Sequence, residues 1–305
     1  MTGLTLALTL IALGLILFAS QHPITDRGPA TLRVDEIEQM LPEEPEGLGR
    51  PITDRQAWDA LAGTDAYRRV VLQAEELRAK PLRKITDDVY LDFSRTGNRT
   101  RCQNAQNERM GRIAPLVLAE CAECEGRFIA AVEELVAAIC AERTWVRPAH
   151  DADLSTFRGK FIKIDLVSSA LAWHLATANR VLGKRLRAET RDMIRDAVDR
   201  HVLEPWRAML AGEREHQRWM YATSNWNAVC LAGVTGAGLA QVEDRRRRAE
   251  SVAAAEHYSQ NFLDGFPSDG YCSEGLGYWN YGFGNYIVLA ETIYQATGGG
   301  VDLMA

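Results

Sequence analysis

The residue types that support polar chemistry are concentrated in three short stretches of this chain, at residues 93–99, 219–227 and 269–286. All three are rich in aromatic and amide side chains, and the first also carries arginines. Aromatic faces stack on sugar rings, while Asn, Tyr and Arg side chains hydrogen-bond to hydroxyls and carboxylates. The composition of these stretches therefore indicates a site for a sugar polymer. Aromatic residues near helix ends also fill protein cores, so composition by itself leaves the function open.

Helical spacing of apolar residues surrounds these stretches. In residues 128–139 the apolar positions share one face, and the acidic positions lie off it. Similar patterns predict helices over residues 161–182, 190–210, 225–240, 245–262 and 282–296. No convincing run of alternating polar and apolar residues predicts a sheet. The sequence therefore predicts an all-α fold.

The number of these helices limits the possible architectures. Roughly ten amphipathic helices with short connections pack as antiparallel pairs, arranged either as a toroid or as a superhelix. A superhelix is expected to show a repeat of fixed length, and no such repeat occurs in the chain. We therefore predict an α/α toroid of antiparallel helix pairs.

The overall composition limits the classes of ligand. The chain has 305 residues, 47% of them hydrophobic, which is enough to bury a substantial core. Its formal net charge of -6 gives the surface no general attraction for nucleic acid or another polyanion. We expect no nucleic-acid partner, and an acidic ligand must be bound by a local basic patch.

The amino-terminal region differs from the rest of the chain. Residues 4–18 are uncharged and nearly all apolar, which predicts a signal peptide within residues 1–20 or an uncleaved membrane anchor. The protein is then exported to the periplasm or the cell exterior. Residues 21–50 are polar and rich in proline, so they are predicted to form a linker with a short helix near residues 34–40. The folded domain is predicted over residues 51–305.

Six cysteines are scattered through helical segments instead of forming a dense disulfide framework. Cys121 and Cys124 have the spacing of half a zinc or redox site, but no second cysteine pair or histidine pair accompanies them. We interpret most cysteines as small core residues. The sequence predicts no metal site and no cofactor in this domain.

Two motifs resemble a known enzyme family. The string NWNAVC at residues 225–230 is followed by DGYCSEGLGYWNYG at residues 269–282, and the pair is similar to the heparinase II/III-like polysaccharide lyases, which include alginate lyases. The strings PITDRQAWDAL, YLDFSRTGNRTR and PAHD extend the likeness upstream, so that it covers residues 51–303. This resemblance implies an incomplete α/α toroid and β-elimination at a uronic acid within an anionic polysaccharide such as alginate or a glycosaminoglycan.

The resemblance also implies roles for individual residues. Asn225 matches the position that neutralises the uronate carboxylate, and Tyr278 or Tyr281 matches the catalytic tyrosine, as base or acid. A tyrosine with an ordinary pKa of about 10 is a poor base, so we expect a nearby cation to lower that pKa. The candidate cations are Arg95, Arg99 and Arg101. Substrate contacts are predicted at Trp226, Asn227, Glu274, Trp279, Arg95 and Arg99.

The sequence departs from the family pattern in two respects. Related lyases often have His directly after the neutralising Asn, whereas Trp226 occupies that position here. The family also has a carboxy-terminal β-sandwich that contributes a histidine and sometimes holds a structural metal. The sequence given ends at Ala305 without such a domain. We expect a β-sandwich partner to complete the site.

Two other functions are compatible with the same residues. Asp165, Asp269, Glu274 and Glu291 could supply the two carboxylates of an inverting glycoside hydrolase, an activity that also occurs on α/α toroids. A sugar-binding domain without catalytic activity is the second alternative. The basic run at residues 245–248 could bind a polyanion, but after Glu243 and Asp244 it is more typical of a solvated helix face.

Overall fold

The computed structural model describes residues 33–272 and 275–305. These residues form helices and turns without any strand, so the all-α prediction is confirmed. The α-helices are α1 Val34–Met40, α2 Arg55–Ala62, α3 Asp65–Ala79, α4 Asp87–Thr96, α5 Thr100–Glu123, α6 Ile129–Cys140, α7 Leu166–Leu182, α8 Ala188–Val198, α9 Glu204–Leu210, α10 Asn225–Gln241, α11 Arg245–Tyr258, α12 Gln260–Leu263 and α13 Leu276–Ala296.

Three helix boundaries differ from the sequence prediction for identifiable reasons. Helix α7 begins only after Asp165, whose side chain accepts from the backbone N–H groups of Val167 and Ser168 in a capping box. The predicted helix at residues 190–210 is interrupted by a π-helical turn, Asp199–Leu203. Helix α13 starts six residues earlier than the predicted position 282, which places both Tyr278 and Tyr281 on a helix.

Four long helices run in the same direction. Gly233 of α10 lies against Ser169 of α7, and Gly236 of α10 lies against the Trp173 ring of α7, so the two helices are parallel. Helix α5 follows the same course along α7, because its early residues line one small cavity with the start of α7 and its later residues line an apolar groove with the later part of α7. Helix α13 runs in this direction too. Its Gly282 lies against Asn225 at the start of α10, and Val288, further along α13, lines the apolar groove. Helices α5, α7, α10 and α13 are therefore parallel.

Shorter helices return antiparallel to these four. Along α10 and α11, Asn227 meets the Tyr258 carbonyl at one end and Gly238 lies near Ser251 at the other. Helix α6 reverses after α5 through a turn held by Glu120, whose carboxylate accepts from the backbone N–H groups of Gly126 and Phe128. The antiparallel pairing that was predicted for successive helices is present at both places.

The segment at residues 33–50, which we expected to be a linker, packs against the helical body. Ile37 is fully buried and Leu41 nearly so, both in the main core. The fully buried Arg248 of α11 donates to the carbonyls of Pro42, Glu43 and Glu44. The basic run at residues 245–248 is thus neither a free polyanion site nor simply a solvated face, because it fastens this segment to α11.

Residues 1–32 lie outside the described residues, so the predicted signal peptide or anchor and the start of the predicted linker are not described structurally. Among residues 33–272 and 275–305, no helix is both long enough and apolar enough to span a membrane. Export therefore stays a prediction from sequence.

Acid should destabilise the fold through His201. This side chain is buried in the π-helical turn, 4.5 Å from the Trp145 ring between centroids, and its Nε2 faces the Arg200 guanidinium at 3.3 Å. Burial, with Arg200 adding to it, lowers the pKa of His201 from 6.5 to about 4. As the pH drops, His201 becomes protonated near pH 6.5 in the unfolded chain but only near pH 4 in the folded protein. The free energy of unfolding therefore falls between these pH values, by on the order of 2–3 kcal/mol.

The measurement is urea unfolding followed by circular dichroism across this pH range, on the wild type and on His201→Phe, which keeps a ring against Trp145. Glu142 acts in the opposite direction, because burial, partly offset by Arg109, raises its pKa to about 7. The contribution of His201 is therefore the difference between the wild type and His201→Phe in how the free energy of unfolding changes with pH. If their free energies of unfolding change in parallel from pH 7 to pH 4, the acid sensitivity lies elsewhere.

Candidate functional site

The parallel course of the four long helices brings their amino-terminal ends to the same end of the bundle. Most of the predicted site residues lie there: Arg99 immediately precedes α5, Asn225 begins α10, and Tyr278 and Tyr281 occupy the first turns of α13. Asp165 caps α7 at the same end. Helix amino termini carry partial positive charge and unpaired N–H groups, so this end of the bundle favours an anionic ligand.

Asn225 and the first turns of α13 are in close proximity. A Cβ added at Gly282 would lie 3.2 Å from the Asn225 Cβ and 3.0 Å from the Phe262 ring, so glycine allows a close approach that a larger residue would crowd. Tyr281 is the residue before that glycine. The predicted neutralising residue and the predicted catalytic tyrosine therefore belong to the same helix contact. Asn225 is only 3% exposed, so a carboxylate can reach its amide only if the neighbouring chain moves.

The two candidate tyrosines differ in environment. Tyr278 is 54% exposed, whereas Tyr281 is 41% exposed and interacts electrostatically with Asp165 and Arg147. Partial burial, reinforced by Cys230 and Asp165, raises the pKa of Tyr281, and Arg147 only partly opposes this. The expectation of a lowered tyrosine pKa is therefore wrong for Tyr281. A tyrosine that keeps its proton is suited to donate one, so Tyr281 has the properties of a general acid.

The other two residues of the NWN motif are buried to different degrees. Asn227 is fully buried, and its amide donates to the carbonyls of Trp219, Met220 and Tyr258 at 3.3, 2.8 and 3.1 Å. It joins the Arg218–Tyr221 turn to the end of α11 and offers no surface to a ligand in this conformation. Trp226 is partly exposed, and its ring packs edge-on against His150 with centroids 4.7 Å apart.

His150 is part of a hydrogen-bonded pair with a buried carboxylate. Its Nδ1 lies 2.6 Å from Asp165 Oδ2, and its side chain remains 24% exposed whereas that of Asp165 is 2% exposed. Asp165 also accepts from the backbone N–H groups of Arg147 and Ser168, at 2.9 and 2.8 Å. Burial opposes ionisation of Asp165, but the His150 and backbone hydrogen bonds hold its pKa below the ordinary value. The pair is thus a carboxylate and an imidazole of fixed orientation.

Arg147 provides a cation beside this pair. Its guanidinium donates to the Gln103 carbonyl at 3.0 Å, to Gln106 Oε1 at 3.3 Å and to Asn107, all in the first turns of α5. Burial lowers the pKa of Arg147, and the positive charge of Arg99 contributes to the lowering, so two arginines lie near the start of α5. Arginine stays charged in proteins, so this is a positive region.

The other predicted contacts are distributed as follows. Trp279 is partly buried and stacks on Phe283 with centroids 5.0 Å apart, one turn of α13 away. Arg95 is exposed and paired with Asp88 at 2.9 Å, and Arg101 is exposed. Glu274 lies outside the described residues. Trp279 is therefore at the same helix start as the tyrosines, while Arg95 forms a surface ion pair.

The carboxylates of the hydrolase alternative that the structure describes have separate surroundings. Asp165 is occupied by its cap and by His150, and Asp269 accepts from the Tyr271 backbone N–H at 3.0 Å. Glu291 is ten residues beyond Tyr281 on α13, about 15 Å along the helix.

The aspartate that follows His150 shapes the loop next to the site. Asp151 is fully buried and accepts from the Thr156 and Phe157 backbone N–H groups at 3.0 and 2.9 Å and from the Lys163 amino group at 3.2 Å. Tyr90 also donates to it, at 3.3 Å. Within the PAHD string, Asp151 thus stabilises the loop and His150 belongs to the candidate site.

The cysteines form no disulfide in the described chain, where all six are free. Cys121 is buried, and Cys124 occupies the left-handed position that ends α5. Within residues 33–272 and 275–305 no group of three or more His, Cys, Asp or Glu side chains is placed to hold a metal ion.

The sequence did not single out His150 or Arg147. The string PAHD contains His150, but nothing in the spacing of residues 147–165 predicts that the Asp165 carboxylate contacts both His150 and the Arg147 backbone. No family model matches the chain, and no curated protein matches its sequence. The chemistry available to the site is that of an acid, a base and a positive surface, with aromatic rings beside them.

Proposed function

We propose that this protein is a polysaccharide lyase that cleaves a uronic-acid polymer by β-elimination. The observation that carries the proposal is the juxtaposition of Asn225 with the start of α13, where Gly282 packs on Asn225 and Tyr281 precedes it. This pair of residues is the one that the two family-like motifs predict.

The electrostatics of the site support an anionic substrate. Removal of a proton next to a carboxylate places negative charge on that carboxylate, so the reaction needs positive charge or hydrogen-bond donors around it. Arg147 and Arg99 supply full charges, and the helix amino termini supply partial ones. A local basic region of this kind compensates for the formal net charge of -6 of the whole chain.

Tyr281 is proposed as the general acid. When the C5 proton leaves the uronate, the C4–O bond breaks and its electron pair stays on the departing glycosidic oxygen. Tyr281 protonates that oxygen, which its raised pKa permits because the hydroxyl remains protonated at neutral pH. Trp226 and Trp279 offer partly exposed rings for sugar stacking.

Asn225 is proposed as the neutraliser of the substrate carboxylate, as the resemblance implies. Its 3% exposure makes an opening movement part of this proposal. We further propose that α5, α7, α10 and α13 form the inner wall of an incomplete α/α toroid with the antiparallel helices outside. A β-sandwich partner and export of the protein are parts of the same proposal.

The test is incubation of the full chain with alginate and with representative glycosaminoglycans, followed in two ways. Elimination yields an unsaturated uronate that absorbs in the ultraviolet, and we expect this absorbance to rise in step with new reducing ends. Neutral glucans serve as the control and should give neither signal. Reducing ends without absorbance would identify a hydrolase and would remove the role given to Tyr281.

A sugar-binding protein without catalytic activity gives a different result. It would retain the polymer in affinity electrophoresis while producing neither absorbance nor reducing ends. That outcome, repeated after addition of a β-sandwich partner if one is encoded with this chain, would contradict the proposed lyase activity.

A further inference from the structure

The His150 and Asp165 pair has the geometry of a base whose orientation is fixed. Asp165 receives hydrogen bonds from backbone N–H groups at 2.8–3.1 Å, and His150 Nδ1 lies 2.6 Å from its Oδ2. A buried carboxylate with this many donors is ionised, so the shared hydrogen belongs to Nδ1. The lone pair of the imidazole is then on Nε2, the nitrogen that can accept a proton.

The position of His150 relates it to the missing histidine of the NWN motif. Trp226 stands where related lyases often have His, and the His150 ring packs directly against the Trp226 ring at 4.7 Å between centroids. The His150 imidazole is therefore in direct contact with Trp226, the residue that stands in place of the histidine. It comes from a different part of the chain, the turn Pro148–His150.

His150 also lies within the same electrostatic environment as the proposed acid. Asp165 and Arg147, which adjoin the imidazole, are the charged groups that interact with the Tyr281 hydroxyl. Helix α13 contributes Tyr281, and α10 contributes Trp226 against His150 and Cys230, which interacts with Tyr281. A base and an acid on different elements are what an elimination requires, because one takes a proton while the other gives one.

We infer that His150, oriented by Asp165, is the proton acceptor of the proposed elimination. His150 Nε2 takes the C5 proton, the C5–H electron pair forms the new C4=C5 double bond, and the C4–O pair leaves with the oxygen that Tyr281 protonates. The imidazolium then returns its proton to the Tyr281 phenolate through solvent. Asp165 is a positioning residue. This inference rests on the proposed lyase function.

The test compares steady-state kinetics of the wild type, His150→Gln and His174→Gln on the uronate polymer that the wild type cleaves. His174 is a matched control because it lies in the apolar groove, nine residues after Asp165 on α7. We expect His150→Gln to lower kcat about 10²- to 10⁴-fold with KM little changed, which is the usual contribution of a general base. His174→Gln should retain wild-type kcat.

A second variant separates orientation from folding. Asn is as good a helix cap as Asp, so Asp165→Asn should still fold, while its neutral amide no longer fixes the imidazole in one tautomer. We expect a lower kcat and a shifted acidic limb of the kcat/KM profile against pH, with unchanged circular dichroism. Imidazole added to His150→Ala should restore part of the lost kcat.

The outcomes distinguish the two proposals. If the wild type forms unsaturated product and His150→Gln keeps more than about one tenth of its kcat, the role of His150 is overturned and the lyase function stands. If the wild type forms no such product from any uronate polymer, the lyase function is overturned together with the base that it requires. A pH profile of Asp165→Asn identical to that of the wild type would overturn the positioning role.

Discussion

Replacing Tyr281 with Phe should lower kcat on the cleaved uronate polymer about 10²- to 10⁴-fold while leaving KM within a few-fold of the wild-type value. The change removes only the hydroxyl, so the ring that faces the sugar is retained. Without that proton donor, the departing oxygen must leave as an alkoxide or take its proton from water. The measurement is initial rate against polymer concentration, followed by the ultraviolet absorbance of the unsaturated product.

Two variants on the same helix serve as comparisons. Tyr294→Phe alters an exposed tyrosine thirteen residues further along α13, about 20 Å away, and should leave kcat unchanged. Tyr278→Phe removes a hydroxyl one turn before Tyr281 and should cost less than Tyr281→Phe, because Tyr278 is the more exposed of the two. If Tyr278→Phe has the larger effect, Tyr278 takes the role of general acid in place of Tyr281.

Replacing Gly233 with Ala should destabilise the fold by about 1–3 kcal/mol or more, and could prevent folding in the extreme case. The added Cβ would lie 2.5 Å from the carbonyl carbon of Ser169 and 2.6 Å from its oxygen. Backbone atoms cannot rotate away as a side chain can, so α7 and α10 would have to separate. This contact also sets the spacing between Asp165 and Asn225, so activity should fall with stability.

The matched control is Gly111→Ala in α5, another helical glycine, where an added Cβ meets nothing within 4 Å. That change should stabilise the protein by roughly 0.5–1 kcal/mol, because alanine is the better helix former. Urea unfolding followed by circular dichroism measures both. Equal unfolding midpoints for the two variants would show that the helices adapt at Gly233 without cost.

The helical fold could be predicted because local pattern determines it. The apolar positions of α6 repeat with helical spacing, and the starts of α2 and α3 are capped by Asp54 and Thr64, which accept from the backbone N–H groups of Ala57 and Tyr67. The packing of residues 33–50 could not be predicted in this way. That segment is held by Arg248, more than two hundred residues away, and its proline-rich composition resembles a linker.

The candidate site was predictable only where two motifs carried it. Asn225, Tyr278 and Tyr281 were identified from their strings, and their proximity depends on one glycine, Gly282, whose role is invisible without the partner helix. His150 was missed because its significance comes from Asp165. An aspartate fifteen residues downstream of a histidine has no regular spacing that would relate the two.

Asp165 performs two tasks with one carboxylate, since it caps α7 and holds His150. The two tasks are separable only by a residue that keeps a side-chain acceptor, as Asn does. A substitution that removes the acceptor loses both the cap and the contact with the imidazole, so it should lower stability and activity together. Trp279 takes part in neither task, so we expect a change at its partly exposed ring to disturb neither the cap nor the His150 contact.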